Sequence, residues 1–235
     1  MDFHILMGIN IIMKKVKRGV NMRTNFDKEL DLLNKELIKM GSLVEDRIKG
    51  SVKALINRDE NLAKNIIEGD MEVDNMERDI ESKCLKLILR QQPVARDLRL
   101  ISSILKMITD LERIGDHAQD ISEISLLISR EKYIKELTHI PQMAEATIYM
   151  VKKSIDAFVN HDMDLAYEVI KFDDKVDHLF DIIKDELILL IREDVNNGEQ
   201  AINFLMIAKY FERIGDHAEN IAEWVVYSIT GEHVN

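Results

Sequence analysis

Residues 112–120 read Glu-Arg-Ile-Gly-Asp-His-Ala-Gln-Asp, and residues 212–220 read Glu-Arg-Ile-Gly-Asp-His-Ala-Glu-Asn. The first seven residues are identical in the two stretches, which lie 100 positions apart. A second similarity joins residues 51–59 to residues 154–162. Repetition at this distance indicates that the chain consists of two related units.

Apolar residues around both stretches recur at steps of three and four, which is the period of an amphipathic helix. This series places Gly115 and Gly215 on the buried faces of their helices, where the missing side chain lets a neighbouring helix approach closely. A glycine inside a helix costs about 1 kcal/mol relative to alanine. Its presence at the same place in both copies therefore indicates a packing role.

The rest of the sequence predicts six long helices. It holds only two prolines and nine glycines, and no segment alternates as a β-strand does. In the first unit we predict helices from Phe26 to near Asn57, from a cap at Asp59 to Gln92, and from Pro93 to about Arg130. The repeat extends this order, so the predicted fold is all-α: two tandem three-helix bundles, residues 22–133 and 134–235.

Residues 1–21 stand outside the repeat. The apolar run from Phe3 to Met13 is shorter than the roughly 20 residues that a membrane-spanning helix requires. Basic residues follow this run, whereas in a secretory signal they precede it. We interpret residues 1–21 as an N-terminal extension that is either disordered or upstream of a true start at Met22. A basic, apolar tail that touches a membrane is the alternative.

The net charge of −11 argues against nucleic acid as a partner, because such proteins need a basic face. Cations and basic protein surfaces are the partners that this charge favours. The single cysteine, Cys84, permits no internal disulfide and agrees with a reducing compartment.

The repeated stretches carry carboxylates at every fourth position, which places them along one side of a helix. Like charges at this spacing destabilise a helix by about 0.2–0.5 kcal/mol per pair, unless a cation or water offsets them. Folding the second and third helix of each unit as an antiparallel pair brings further aspartates opposite. The candidate metal ligands are Asp70, Asp74, Glu112, Asp116 and Asp120 in the first unit, and Asp173, Asp177, Glu212 and Asp216 in the second.

Converging carboxylates suit Mg²⁺, Mn²⁺, Ca²⁺ or iron and can bridge more than one ion, whereas zinc more often recruits cysteine or histidine. An acidic helix face exposed to solvent, with no metal, is the other interpretation. The sequence contains no H-E-x-x-H, phosphate-binding glycine loop or G-x-S-x-G motif. A hydrolase built on a multinuclear metal cluster remains open.

Residues 91–99, Gln-Gln-Pro-Val-Ala-Arg-Asp-Leu-Arg, complete a pattern with the two repeated stretches and with Asn-Ile-Ala-Glu at 220–223. On these residues the chain resembles the PhoU family of phosphate-transport accessory and regulatory proteins, over roughly residues 26–232. The resemblance implies a cytoplasmic, non-enzymatic adaptor that forms a homodimer and holds down the phosphate-starvation response. A metal-dependent phosphohydrolase is the alternative function.

The resemblance also implies partners and cofactors. The expected partners are the ATP-binding subunit of the phosphate ABC transporter and the phosphate-sensing histidine kinase, at the inner face of the membrane. The expected cofactors are metal ions, bound singly or in multinuclear clusters at the nine acids named above, with iron first and zinc, manganese and magnesium as alternatives. Asn220 departs from the family pattern, since it replaces an acid with an amide.

Overall fold

A computed structural model of the protein describes residues 3–91 and 93–234, with side chains for residues 26–90 and 93–234. Over these residues the chain is helical and contains no β-strand, so the prediction of two tandem three-helix bundles is confirmed. The helices of the first unit are α1 (Phe3–Asn57), α2 (Glu60–Glu68), α3 (Met71–Gln91) and α4 (Ala95–Ile128). Those of the second unit are α5 (His139–Asn160), α6 (Met163–Glu193) and α7 (Gly198–Thr230).

Helix α1 begins at Phe3, whereas the sequence predicted a start at Phe26. The backbone can remain helical there because no proline interrupts the preceding residues. Met1 and Asp2 lie outside the described residues, as do the side chains before Phe26. The assignment of residues 1–21 to a separate extension stays a prediction.

The second helix of the first unit is broken, whereas the sequence predicted one helix from Asp59 to Gln92. The break falls at Gly69 and Asp70, between α2 and α3. Glycine is a poor helix former, and Arg47 Nη2 donates a hydrogen bond of 2.6 Å to the carbonyl oxygen of Ile66, which supplies a partner at the helix end. The second unit has Phe172 and Asp173 at this place, and α6 continues through them.

The turn before the second helix is the same in both units. Asp59 caps α2 by accepting hydrogen bonds from the backbone N–H groups of Asn61 and Leu62, as predicted. Asp162 caps α6 in the same way from Leu165. The repeat therefore extends beyond the acidic stretches to the signals that start the helices.

The two units pack against each other along α4 and α7, which run antiparallel. The ring of His117 stacks on that of Tyr210, and Gly231 lies against the side chain of Arg99. One hydrophobic core extends through both units. The antiparallel arrangement places the turn between α3 and α4 at one end of the molecule and the turn between α6 and α7 at the opposite end.

Gly115 and Gly215 are buried, as predicted. A Cβ placed on Gly115 would lie 3.2 Å from a methyl carbon of Val73 on α3. A Cβ on Gly215 would lie 2.7 Å from Asp173 Oδ1 and 3.2 Å from a methyl carbon of Val176 on α6. The two glycines thus let the third helix of each unit approach the second.

Among the described helices, none combines the length and the apolar composition that crossing a lipid bilayer requires.

Candidate metal sites

The first acidic site lies where the break between α2 and α3 meets α4. Asp70 occupies the break, Asp74 follows in the first turn of α3, and Asp116 belongs to α4. One carboxylate oxygen from each of the three lies within 4.8 Å of the others. The antiparallel pairing deduced from the sequence therefore does bring these acids together.

Each of these three aspartates also has an arginine beside it. Arg47 Nη2 lies 2.9 Å from Asp70 Oδ1, Arg78 Nη2 lies 3.3 Å from Asp74 Oδ2, and Arg113 Nη1 lies 3.1 Å from Asp116 Oδ2. Arg47 is the buried member, and its pKa is lowered by that burial. Burial raises the pKa of Asp70, while the charge of Arg47 acts in the opposite direction. Three positive charges of the protein thus lie beside the acids of the first site.

Glu112 and Asp120 lie outside this group of three. Burial and the charge of Asp116, one helical turn further along α4, raise the pKa of Glu112. Oδ2 of Asp120 lies 3.3 Å from Nδ1 of His117. Asp120 follows Glu112 by eight residues, which is a net rotation of about 80° around the helix axis. Asp120 is therefore turned away from the helix face that carries Glu112. Metal binding by these two residues stays a prediction.

The second acidic site is centred on Asp173 of α6. This side chain is only 9% exposed, and its Oδ1 has no hydrogen-bond partner among the described residues. Its Oδ1 lies against α7 at Gly215, where a Cβ on the glycine would be only 2.7 Å away. An unpartnered buried carboxylate oxygen is destabilising unless a proton or a cation binds it.

Burial, together with the charges of four other acids, raises the pKa of Asp173 to about 7. The four acids are Glu219, Asp177, Asp216 and Glu212. The pKa values of Asp177, Asp216 and Glu219 are raised as well, chiefly by burial. Lys209 forms an ion pair with Glu212, but the position that corresponds to Arg47 is occupied by Met150.

Arg47 and Glu219 contribute to the two sites although neither was predicted from the sequence. Glu219 could have been found, because it directly follows the seven identical residues of the repeat, where the first unit has Gln119. Arg47 lies outside the repeated stretch and carries no such signal.

Asn220 serves the packing of the two units. Its side-chain nitrogen donates a 3.4 Å hydrogen bond to Asp110 Oδ1, which also lies 2.9 Å from Nδ1 of His217. His117 and His217 face each other across the same contact, with ring centres 5.6 Å apart. The amide at position 220 is therefore explained by the contact between α4 and α7.

A scan against protein families finds the PhoU domain twice, at residues 37–125 and 140–225. These two ranges follow the internal repeat and leave out the turn between α4 and α5.

The chain belongs to the PhoU family.

The PhoU relatives match nearly the whole chain. A phosphate-specific transport system accessory protein PhoU homolog from Clostridium acetobutylicum is 42% identical, over 91% of this chain and 98% of its own length. The Escherichia coli accessory protein PhoU is 35% identical, over 88% and 86%. These names describe accessory proteins, which agrees with the expectation that the chain is not an enzyme.

Two solved PhoU structures share the fold. The crystal structure of PhoU from Pseudomonas aeruginosa superposes with a TM-score of 0.84 at 36% identity, covering 88% of this chain and all of that one. The phosphate transport system regulatory protein PhoU from Streptococcus pneumoniae gives a TM-score of 0.82 at 29% identity, covering 89% and 99%.

Proposed function

We propose that this protein is a metal-binding, non-enzymatic regulator of phosphate uptake and of the phosphate-starvation response. The observation that carries the proposal is the convergence of Asp70, Asp74 and Asp116 in the first PhoU domain, together with the buried, unpartnered Oδ1 of Asp173 at the equivalent position of the second. The assignment to phosphate uptake is supported by relatives that are named as phosphate-specific transport accessory proteins.

The two sites fit metal ions for different reasons. In the first site, three carboxylate oxygens already converge. In the second site, a buried oxygen of Asp173 has no partner, and the charges of four further acids help to raise the pKa of this carboxyl. Asp70, Asp74, Glu112, Asp116 and Asp120 would hold metal in the first unit; Asp173, Asp177, Glu212, Asp216 and Glu219 would do so in the second. Oxygen ligands favour iron, manganese or magnesium over zinc.

A bound cation would supply the positive charge that lets the clustered carboxylates stay ionised near neutral pH. The protein's own residues set the geometry: the break at Gly69 presents Asp70, and Gly215 gives Asp173 room beside α7. We expect the second site to respond more strongly to metal, because there no arginine occupies the place of Arg47.

Elemental analysis of natively purified protein tests the metal binding. We expect metal in the wild-type protein and its loss from the variant Asp116→Ala/Asp216→Ala. The control variant Asp46→Ala/Asp185→Ala removes the same charge at exposed positions outside the sites and should retain the metal. Metal-free wild-type protein, or equal metal in both variants, would refute metal binding at these acids.

The regulatory role is tested in a bacterial strain that lacks its own PhoU protein and carries a reporter of phosphate starvation. We propose that the chain acts in the cytoplasm as a homodimer, through the ATP-binding subunit of the phosphate transporter and the sensor histidine kinase. Expression of the chain should then lower the reporter at high phosphate, and the tagged chain should co-purify with that subunit. An unchanged reporter would contradict the role.

A further inference from the structure

The two ends of the molecule differ sharply in charge. Residues 83–99, which we call the first tip, form the end of α3, the turn and the start of α4; they contain five basic residues and one acidic residue, a net charge of +4. Residues 186–202, the second tip, form the corresponding turn between α6 and α7; they contain one basic and four acidic residues, a net charge of −3. The first tip is thus positive in a chain whose net charge is −11.

Exposed apolar side chains cover the same end. Leu89, in the last turn of α3, is 81% exposed, and Val94, immediately before α4, is 62% exposed. Leu85 and Leu98 are also exposed, one turn further along each helix. Large apolar side chains grouped at a turn in this way usually mark an interaction surface.

The basic residues of the first tip surround these apolar side chains. Within the described part of the chain, Lys83 pairs with Glu36, whereas Lys86, Arg90, Arg96 and Arg99 form no ion pair. Lys86, Arg90 and Arg96 are exposed. Their charges are therefore available to an anionic partner.

The amino-terminal segment joins the molecule at this same end. Glu36 pairs with Lys83 and Arg47 pairs with Asp70, so α1 runs antiparallel to the chain from Asp70 to Lys83, and the chain before Phe26 enters beside the first tip. In sequence that segment contains an apolar run from Phe3 to Met13 and one acidic residue. Its basic residues are Lys14, Lys15, Lys17, Arg18 and Arg23.

We propose that the first tip docks onto the surface of an anionic lipid membrane. Leu89 and Val94 would enter the boundary between headgroups and acyl chains, while Lys86, Arg90 and Arg96 contact lipid phosphates. Charge complementarity favours an anionic membrane as the partner, because the first tip and the segment beside it are both basic.

A second copy of the chain fits less well. The acidic second tip could receive the first tip, but that head-to-tail contact uses different surfaces on the two copies and would propagate into a filament. Membrane docking uses the first tip once and leaves the second tip free.

Flotation of the full-length protein with vesicles tests the proposal. We expect binding to vesicles of equal parts phosphatidylcholine and phosphatidylglycerol, weak binding to phosphatidylcholine alone, and loss of binding in high salt. Each basic side chain near an anionic surface contributes about a fivefold gain in the binding constant, so Lys86→Glu/Arg90→Glu should reduce it at least about 25-fold.

A second variant addresses the apolar contribution. Leu89→Ser/Val94→Ser should reduce binding about tenfold, because two exposed apolar groups no longer enter the bilayer. Serine is a favourable residue at the N-cap position of Val94, so the fold is retained. The matched control Leu189→Ser/Val195→Ser alters the second tip, where Val195 is 82% exposed, and should leave binding unchanged.

Three results would overturn the proposal. The first is absence of binding to anionic vesicles, and the second is binding that both first-tip variants leave intact, which would assign it to residues 1–25 alone. The third is formation of end-to-end assemblies, measured by light scattering and reduced by variants of either tip, without vesicle binding. Thermal unfolding of each variant shows whether its fold is intact.

Discussion

The two acidic sites contain the same repeated residues but differ in whether a positive side chain pairs with the central aspartate. In the first unit, Arg47 lies 2.9 Å from Asp70 and satisfies it. In the second unit, Asp173 keeps a buried oxygen without a partner, and its pKa rises to about 7. The residue that makes the difference lies outside the motif, since Met150 stands in α5 where Arg47 stands in α1.

This difference changes the backbone as well as the charge. Arg47 also hydrogen-bonds the Ile66 carbonyl beside the break at Gly69, whereas α6 passes uninterrupted through Phe172 and Asp173. Arg47 thus supplies a positive charge inside the first site, whereas Met150 supplies none at the corresponding position of the second. Identical motif residues therefore do not guarantee equivalent sites, because the neighbouring helices set the field around them.

The largest expected effect is the pH dependence of the second site in chelator-treated protein. The unfolded chain releases the Asp173 proton near pH 4, whereas the folded protein holds it until about pH 7. The folded state therefore binds more protons in this window, and the free energy of unfolding falls as pH rises, by about 4 kcal/mol in total. The loss is absent below pH 4 and complete above pH 7.

Denaturant titrations across this pH window, with and without Asp173→Asn, measure the effect. The variant should be more stable than wild type above pH 7 and should lose most of the pH dependence. Asp185→Asn, which changes an exposed aspartate, is the control and should behave as wild type. If the free energy of unfolding of Asp173→Asn depended on pH as that of wild type does, Asp173 would not be the carboxyl that holds the proton in the folded protein.

Removal of Asp70 from the first site should destabilise the protein, whereas neutralisation of Asp173 should stabilise it. Asp70→Ala leaves the buried guanidinium of Arg47 without its carboxylate and should lower the free energy of unfolding by about 3 kcal/mol. The double variant Arg47→Met/Asp70→Ala, which places the second unit's methionine in the first, should recover much of that loss. Urea unfolding at neutral pH after chelation measures both; no recovery would mean that Arg47 acts mainly through Ile66.

The two motif glycines provide a smaller test of the same asymmetry. Gly215→Ala forces a Cβ against Asp173 Oδ1 and Val176, and overpacking of this kind costs about 2 kcal/mol. In Gly115→Ala the added Cβ meets the side chain of Val73, with the nearest methyl carbon at 3.2 Å, and the better helix propensity of alanine should offset the contact to within about 1 kcal/mol. Thermal unfolding compares them, and equal losses would contradict the difference in packing.

The smallest effect concerns the helix caps. Asp59→Ala and Asp162→Ala should each cost about 1 kcal/mol, because each aspartate accepts hydrogen bonds from the first turn of its helix. Hydrogen exchange should separate the two variants. Loss of the cap should expose all of the nine-residue α2, but only the first turns of α6, which has 31 residues. Equal protection in both would show that α2 and α3 unfold together.

The sequence was sufficient to predict the helical bundles and the approach of Asp116 to Asp70 and Asp74 in the first unit. Helical periodicity, the repeat and the Asp59 cap depend on residues close together in the chain, and equal rise per residue then aligns Asp116 with Asp70 and Asp74. The break at Gly69 was missed because one glycine inside a helical pattern is usually tolerated.

The partners of the acids could not be read from the sequence. Arg47 and Asp70 are separated by 23 positions, and nothing in the spacing selects this arginine from the other basic residues. The sequence also did not reveal that Oδ2 of Asp120 would lie 3.3 Å from Nδ1 of His117. Side-chain direction across helices, rather than residue type, decided both cases.

The antiparallel pairing of α4 and α7 makes the molecule a spacer of fixed length. The 34 residues of α4 span about 50 Å, and the hairpin turns stand at its two ends. A surface held at one turn and a protein held at the other are therefore kept that far apart. Since the hydrophobic core runs continuously through both repeats, the spacing cannot shorten without unfolding the bundle.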